Sequence, residues 1–312
     1  MEIRKASVSD MFGWLIGSFK LVGKHWGTFL LAALVSLAAI FLLAFAAGLV
    51  IGLGAAGAAM GDVNSIDWQK IALIYAAILL VALILVPPFI AGWFVLTGKL
   101  ADGQTASVGD LFSGYGDAAR WKKLIAFGFI GAVLNIAVQG GYILICMALG
   151  IGSDDIGQFM TAQLSNDPEA MAGLSAGFWM AYCGIILIGS VLQTAFMLGF
   201  CQAALTDAGA VDAVKDGFAA TLKNLGSLVL FMLSMLLVVL ATVLVIGLLA
   251  GLLIAALSML NSNIALALGV VLYLLLLLFI YPLMFSFQYL FWRDVLGGGG
   301  KSAAVSDSEV LI

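Results

Sequence analysis

Charge is scarce in this chain. Asp, Glu, Lys and Arg make up 10% of its 312 residues and hydrophobic types 64%, whereas a soluble domain is about 25% charged. That deficit excludes an ordinary water-soluble fold and makes the bilayer the solvent. Histidine is represented by His25 alone, and the three cysteines, Cys146, Cys183 and Cys201, are dispersed. Such a set does not supply an ordinary zinc or copper site. An odd number of thiols inside apolar runs also argues against a disulfide framework, so the cysteines read as small, buried, weakly apolar side chains. No cofactor is expected. With a net charge of −4 there is no basic footprint for nucleic acid. A cleavable signal peptide is not expected either, because residues 1–27 mix apolar and charged positions without the order such a peptide needs.

What is abundant is uninterrupted apolar sequence. Charge-free runs cover 28–60, 71–98, 124–153, 170–206 and 224–292, and the last breaks at the polar triplet 261–263. A helical span needs about 20 apolar residues, so the pattern predicts six spans, longer than the minimum and therefore tilted or projecting. No connection is long enough to bury a soluble core. Any activity has to be built from the bundle itself.

Cations set the expected topology. Arg4, Lys5, Lys20 and Lys24 precede span 1, and Lys99, Arg120, Lys122 and Lys123 lie between spans 2 and 3. Lys215 and Lys223 precede span 5, Arg293 and Lys301 follow span 6, and only Lys70 falls on the other side. The positive-inside rule then puts both termini in the cytoplasm. The opposite side carries the acids Asp62, Asp67, Asp154, Asp155, Asp167 and Glu169. Tryptophans are expected as interfacial belts, with Trp26, Trp93, Trp121 and Trp292 on the inner side and Trp68 and Trp179 on the outer.

SVSDMF at 7–12 and SVGDLF at 107–112 share four of six positions, and GAVDAV at 209–214 is a weaker copy. Asp10, Asp110 and Asp212 hold equivalent helix-start places, and Ser7 and Ser107 stand where a capping box puts them. Each copy continues with helical periodicity, through Phe12, Leu15, Phe19, Val22 and Trp26 in the first and Val211, Val214, Phe218, Leu222 and Leu225 in the third. These are amphipathic segments expected at the membrane interface. The predicted fold is therefore all-α: six transmembrane helices in three parallel pseudo-repeats (about 7–106, 107–208 and 209–296). Each repeat is an interfacial helix plus a transmembrane hairpin. Together they make one membrane domain, 1–296, and 297–312 is expected to be a flexible cytoplasmic tail.

Three sequence motifs fail on context. GLGAAG at 52–57 lies inside an apolar span, where a dinucleotide site needs a strand and a helix N-terminus. Gly48/Gly52, Gly57/Gly61 and Gly247/Gly251 are spaced for close helix packing. GLSAG at 173–177 has no general base near it, since His25 is expected across the membrane. GGGGKS at 297–302 lacks the first glycine of a phosphate loop, with Val295 in its place, and reads as linker.

No ionisable residue lies well inside a span, which disfavours ion coupling through carboxylates. The intramembrane polar candidates are Asn135 and Gln139, one turn apart, and Gln193 in the next span. They are interhelical hydrogen-bonding groups or the lining of a polar cavity near a pseudo-threefold axis. Pro87, Pro88 and Pro282 free backbone carbonyls and are helix-kink candidates.

Three two-span units of about 100 residues resemble mitochondrial carriers, but the P-x-[DE]-x-x-[KR] motif of that family is absent. The starts such as VKDGFAATLKNLGSLVLF (214–231), with LVPPFIAGWF and YPLMFSFQYLFW, resemble the uncharacterised six-helix bacterial inner-membrane proteins. Those proteins are related to the membrane domain of glycerophosphodiester phosphodiesterases. The resemblance implies a membrane-embedded accessory role and transfers no site residues. The expected function is a non-enzymatic module binding membrane lipids or another membrane protein. The alternative is a passive transporter or channel along the axis, and an intramembrane enzyme ranks last.

Overall fold

The computed structural model describes residues 3–59, 68–150, 173–237 and 262–297, with the single positions 155, 158, 159, 171, 244, 247 and 251. Among them there is no strand. In lipid every backbone N–H and C=O must be satisfied within the segment, so long apolar runs have only the helix open to them. The elements are α1 (Val8–Lys24), α2 (Trp26–Ala59), α3 (Trp68–Ala101) and a 3-10 helix, η1 (Val108–Tyr115). After these come α4 (Ala118–Ala148), α5 (Ala176–Leu205), α6 (Ala210–Lys223), α7 (225–237) and α8 (Ser262–Val295). Five of them, α2, α3, α4, α5 and α8, are long and apolar enough to cross a membrane. The α6–α7 pair, bent by 72°, brings the number to six if it counts as one span. The helices bracket the charge-free runs of the sequence, and α8 starts inside the polar triplet at 261–263. The outer acids Asp62, Asp67, Asp154, Asp167 and Glu169, Gly61 of the Gly57/Gly61 pair and the tail beyond Gly297 lie outside the described residues.

Helix starts follow local chemistry. At α1 the Asp10 carboxylate accepts the Ser7 N–H at 2.8 Å, and the Ser7 hydroxyl accepts the Asp10 N–H at 3.2 Å. That reciprocal pair closes two donors that the first turn would otherwise leave open. Asp110 repeats one half of it, accepting the Ser107 N–H at 2.8 Å, yet the helix that follows is a single short 3-10 segment. Gly209 opens α6 without a side-chain cap.

The three short helices dock on long ones in a regular order: η1 packs on α3, α6 on α5, and α1 on α8. Two of these junctions are backbone-to-backbone. A Cβ on Gly92 would meet the Leu111 carbonyl at 1.9 Å and one on Gly114 the Pro88 carbonyl at 2.3 Å. At the other, Gly217 faces Ala195 O at 2.2 Å and Gly199 faces Ala213 O at 2.6 Å. Small residues let helix axes approach this closely. The third junction is aromatic, with Trp14 stacked on Phe291 at 4.7 Å. A strap formed by residues 3–6 locks it. Asn224 accepts the Ala6 N–H at 2.6 Å and donates to Arg4 O at 3.2 Å, while the Arg4 N–H donates to Val295 O at 3.1 Å.

Of the glycines singled out in the sequence, Gly48 and Gly251 have nothing within 4 Å, so neither is a close-packing position among the described residues. The amphipathic stripes also need rotation. On α1 the buried face is Met11, Trp14, Ser18 and Val22, while Phe19, and Trp26 at the start of α2, are exposed on the side of Phe279. On α6 the buried face is Ala213, Val214, Gly217, Ala220 and Thr221, while Val211 and Leu222 are exposed. Each short helix thus has two apolar sides, one of small or flat residues for the bundle and one of large residues for its surroundings.

Candidate functional site

α3, α5 and α8 pack pairwise against one another, and their ends nearest the short helices form the densest part of the protein. Phe94 of α3 meets Phe200 of α5 at 6.5 Å and Phe285 of α8 at 5.2 Å, and Trp93 stacks on Phe285 at 4.9 Å. Trp93 and Phe94 are fully buried. A buried indole needs an acceptor. Trp93 Nε1 donates to Ser36 Oγ at 3.0 Å, and Trp292 Nε1 donates to Gln202 Oε1 at 2.8 Å. Trp93 and Trp292 are therefore core anchors rather than belt residues, because the converging helices place them inside the bundle. Trp121 is part-buried, donating to Ile84 O at 3.5 Å. Trp26 and Trp179 are exposed, and the Trp68 side chain lies outside the described residues.

The predicted amides are only partly brought together. Gln139 Nε2 donates to Asn135 Oδ1 at 3.0 Å along one face of α4, and it approaches Gly189 of α5. Gln193 is exposed on α5 and has no hydrogen bond to either. One intrahelical pair and one outward-facing amide do not line a common polar cavity. The physical reason is rotational: Gln193 follows Gly189 by four residues, but its side chain leaves the α4 seam while Leu192, Thr194 and Ala195 are buried.

The prolines sit inside unbroken helices, Pro87 and Pro88 in α3 and Pro282 in α8. Pro88 removes the donor to Ile84 O, which instead accepts from Trp121, and the Tyr115 hydroxyl donates to the neighbouring Leu85 O. A Cβ on Gly128 of α4 would lie 2.7 Å from Pro87 Cγ, so this face of α3 is used for packing.

The three aspartates differ. The Ser7 N–H bond leads in holding the Asp10 carboxyl below its usual value, helped by the Ser7 hydroxyl and Arg4 against a burial effect that raises it. At Asp110 burial pushes upward, and the hydrogen bond and charge of Lys99 with the Ser107 N–H outweigh it, so the net direction is again down. Lys99 Nζ lies 2.7 Å from the Asp110 carboxylate. Asp212 is exposed, with Lys215 3.9 Å away. A cleft of about 440 Å³ lies between the start of α4 and the C-terminal end of α5. Its cations already have acceptors, with Arg120 donating to Ala204 O and Lys123 to Thr206 O at 2.8 Å. Cations placed so cap the C-terminal carbonyls of α5.

Ser175 caps α5, accepting the Phe178 N–H at 3.1 Å and donating to Asp155. Among the described residues no three His, Cys, Asp or Glu are grouped to hold a metal ion. Cys201 is buried and Cys183 exposed, so only the first fits the expectation of a buried thiol. The groups that organise the site and escaped sequence reading are Ser36, Gln202, Asn224 and Phe285. Asn224 and Gln202 carried a usable signal, as amides at the ends of apolar runs. Comparison with protein-family models, curated proteins and solved structures gave no match.

Proposed function

We propose that the chain is a non-enzymatic module of the bacterial inner membrane that binds lipid or a partner membrane protein, with both termini cytoplasmic. It is built as three parallel units of one interfacial helix and two spans. The observation that carries this reading is the aromatic closure formed by Phe94, Phe200 and Phe285 where α3, α5 and α8 converge. Binding capacity therefore lies on the periphery, where large apolar side chains such as Phe19, Phe112 and Leu222 are exposed on the short helices. The threefold plan is supported by register. Gly92 and Gly199 meet the residues that follow Asp110 and Asp212, Leu111 and Ala213, at both glycine junctions. The same closure counts against conduction along the axis, and Gln193 shares no hydrogen bond with the Asn135–Gln139 pair.

The test is extraction in mild detergent followed by native mass spectrometry. Retained phospholipid or a stable complex is the expected result, and a monodisperse lone chain without lipid overturns the reading. Cysteine accessibility labelling checks the plan. Cysteines placed at Phe19, Tyr115 and Phe218 should all react from the cytoplasmic side, and reaction of one from the other side removes the parallel units.

A further inference from the structure

A second apolar feature lies beside the closed core: a side-opening groove of about 310 Å³ between α2, α3, η1 and α8. We propose that this groove holds one acyl chain of a phospholipid from the leaflet on the side of the short helices. The proposal rests on the lipid-or-partner reading above and names the ligand.

The walls are built to stay apart. Trp93, at the back, is fixed by its bond to Ser36 and by stacking on Phe285. Tyr281 packs edge-on against Trp93 at 5.9 Å. At the end nearer the short helices the floor is Phe112 and Tyr115 of η1, and Tyr115 is tied to the α3 backbone at Leu85. Ala39, Ile40 and Leu43 of α2 form the far wall. Rigid rings anchored by hydrogen bonds cannot fold inward to fill the space.

Three features select the occupant. The lining is nearly all apolar; of its two hydroxyls, that of Tyr115 is engaged with Leu85 O and only that of Tyr281 is left, so water finds fewer than the two to four polar partners it needs. An alkyl chain fits, because Leu85 to Trp93 covers a length of roughly 12 Å at the helical rise. This stretch of α3 lies inside Ala76–Ala101, a segment long and apolar enough to cross a membrane. On the membrane reading, acyl chains surround such a segment and reach the groove from its open side.

The test uses the full chain in bilayers of phosphatidylethanolamine and phosphatidylglycerol. These are doped with a phosphatidylcholine carrying a photoactivatable diazirine on one acyl chain, and adducts are mapped by peptide mass spectrometry. Adducts should concentrate on Leu43, Val86 and Phe89, several-fold above Ile136, a residue 72% exposed on α4. Filling the groove by Ala39→Trp or Val86→Trp should bring the groove signal down to the Ile136 level while the Ile136 adduct is unchanged. Wild-type labelling no higher at the groove than at Ile136 overturns the proposal without any variant. So does labelling that survives filling in a monodisperse variant, or a polypeptide adduct at these positions in native membranes. If the groove is unlabelled while phospholipid is still retained, the broader reading stands; a chain that retains neither lipid nor partner removes both.

Discussion

Gly92→Ala is the sharpest test of how the short helices are held. The added Cβ would lie 1.9 Å from the Leu111 carbonyl oxygen, 2.4 Å from its carbon and 2.6 Å from its Cα, where ordinary contact starts at 3.4 Å. Relief requires η1 to retreat by about 1.5 Å (3.4 − 1.9). All three atoms are backbone, so no rotamer change helps. The retreat would also separate Gly114 from Pro88 and unseat Leu111, which is fully buried. Overpacking of this kind costs about 1–3 kcal/mol, against which replacing a helical glycine by alanine gains up to about 1 kcal/mol. A net loss of roughly 1–2 kcal/mol is expected. The control is Gly13→Ala on α1, where nothing lies within 4 Å of the new atom; it should be neutral or stabilising by up to about 1 kcal/mol. Heating detergent-solubilised protein and following the monodisperse size-exclusion peak measures both. If Gly92→Ala survives to the same temperature as the parent, or Gly13→Ala loses as much, backbone contact is not what seats η1.

Other outcomes follow from the same contacts. Ser36→Ala leaves the buried Trp93 N–H without its acceptor and should cost roughly 1–3 kcal/mol, read by thermal stability and by a shift in tryptophan emission; an unaltered spectrum and midpoint would contradict it. Asn224→Ala should release the strap of residues 3–6, raising hydrogen exchange at Ala6, whose N–H donates to Asn224, and an unchanged exchange rate would show the strap is held otherwise. The depressed Asp10 and Asp110 carboxyls bind protons more weakly folded than unfolded. Their stabilisation is therefore complete above the ordinary carboxylate value of about 3.9 and declines as pH falls through the lower folded values. Acid titration of stability should show this decline, and Asp110→Asn should lose the part due to its bonds with Lys99 and Ser107.

Much of the helical layout was legible because it depends on one-dimensional properties. The 28–60, 71–98, 124–153 and 170–206 runs became α2, α3, α4 and α5, since hydrocarbon enforces helix wherever charge is absent for long enough. Ser7 and Asp10 announced the start of α1 because capping is a matter of residues three apart. The face of each helix was harder. Of the stripe Phe12, Leu15, Phe19, Val22 and Trp26, Val22 is buried and Phe12 packs on Phe231, yet the rest of the buried face is Met11, Trp14 and Ser18, because with lipid outside both sides of a helix are free to be apolar. Trp93 and Trp292 were misplaced for the same reason: tryptophan suits both a boundary and a core once a Ser or Gln acceptor is near.

The amino-acid order by itself determined the solvent, the spans and their approximate ends, because hydropathy and capping act within a few residues. Which glycines touch, that Phe94, Phe200 and Phe285 close the centre, that Gln193 is turned away from Asn135 and Gln139, and that a groove stays open beside Trp93 were decided only by the tertiary structure. These depend on the rotation and approach of helices distant in sequence, and in a chain so uniformly apolar no local pattern marks one face as inward.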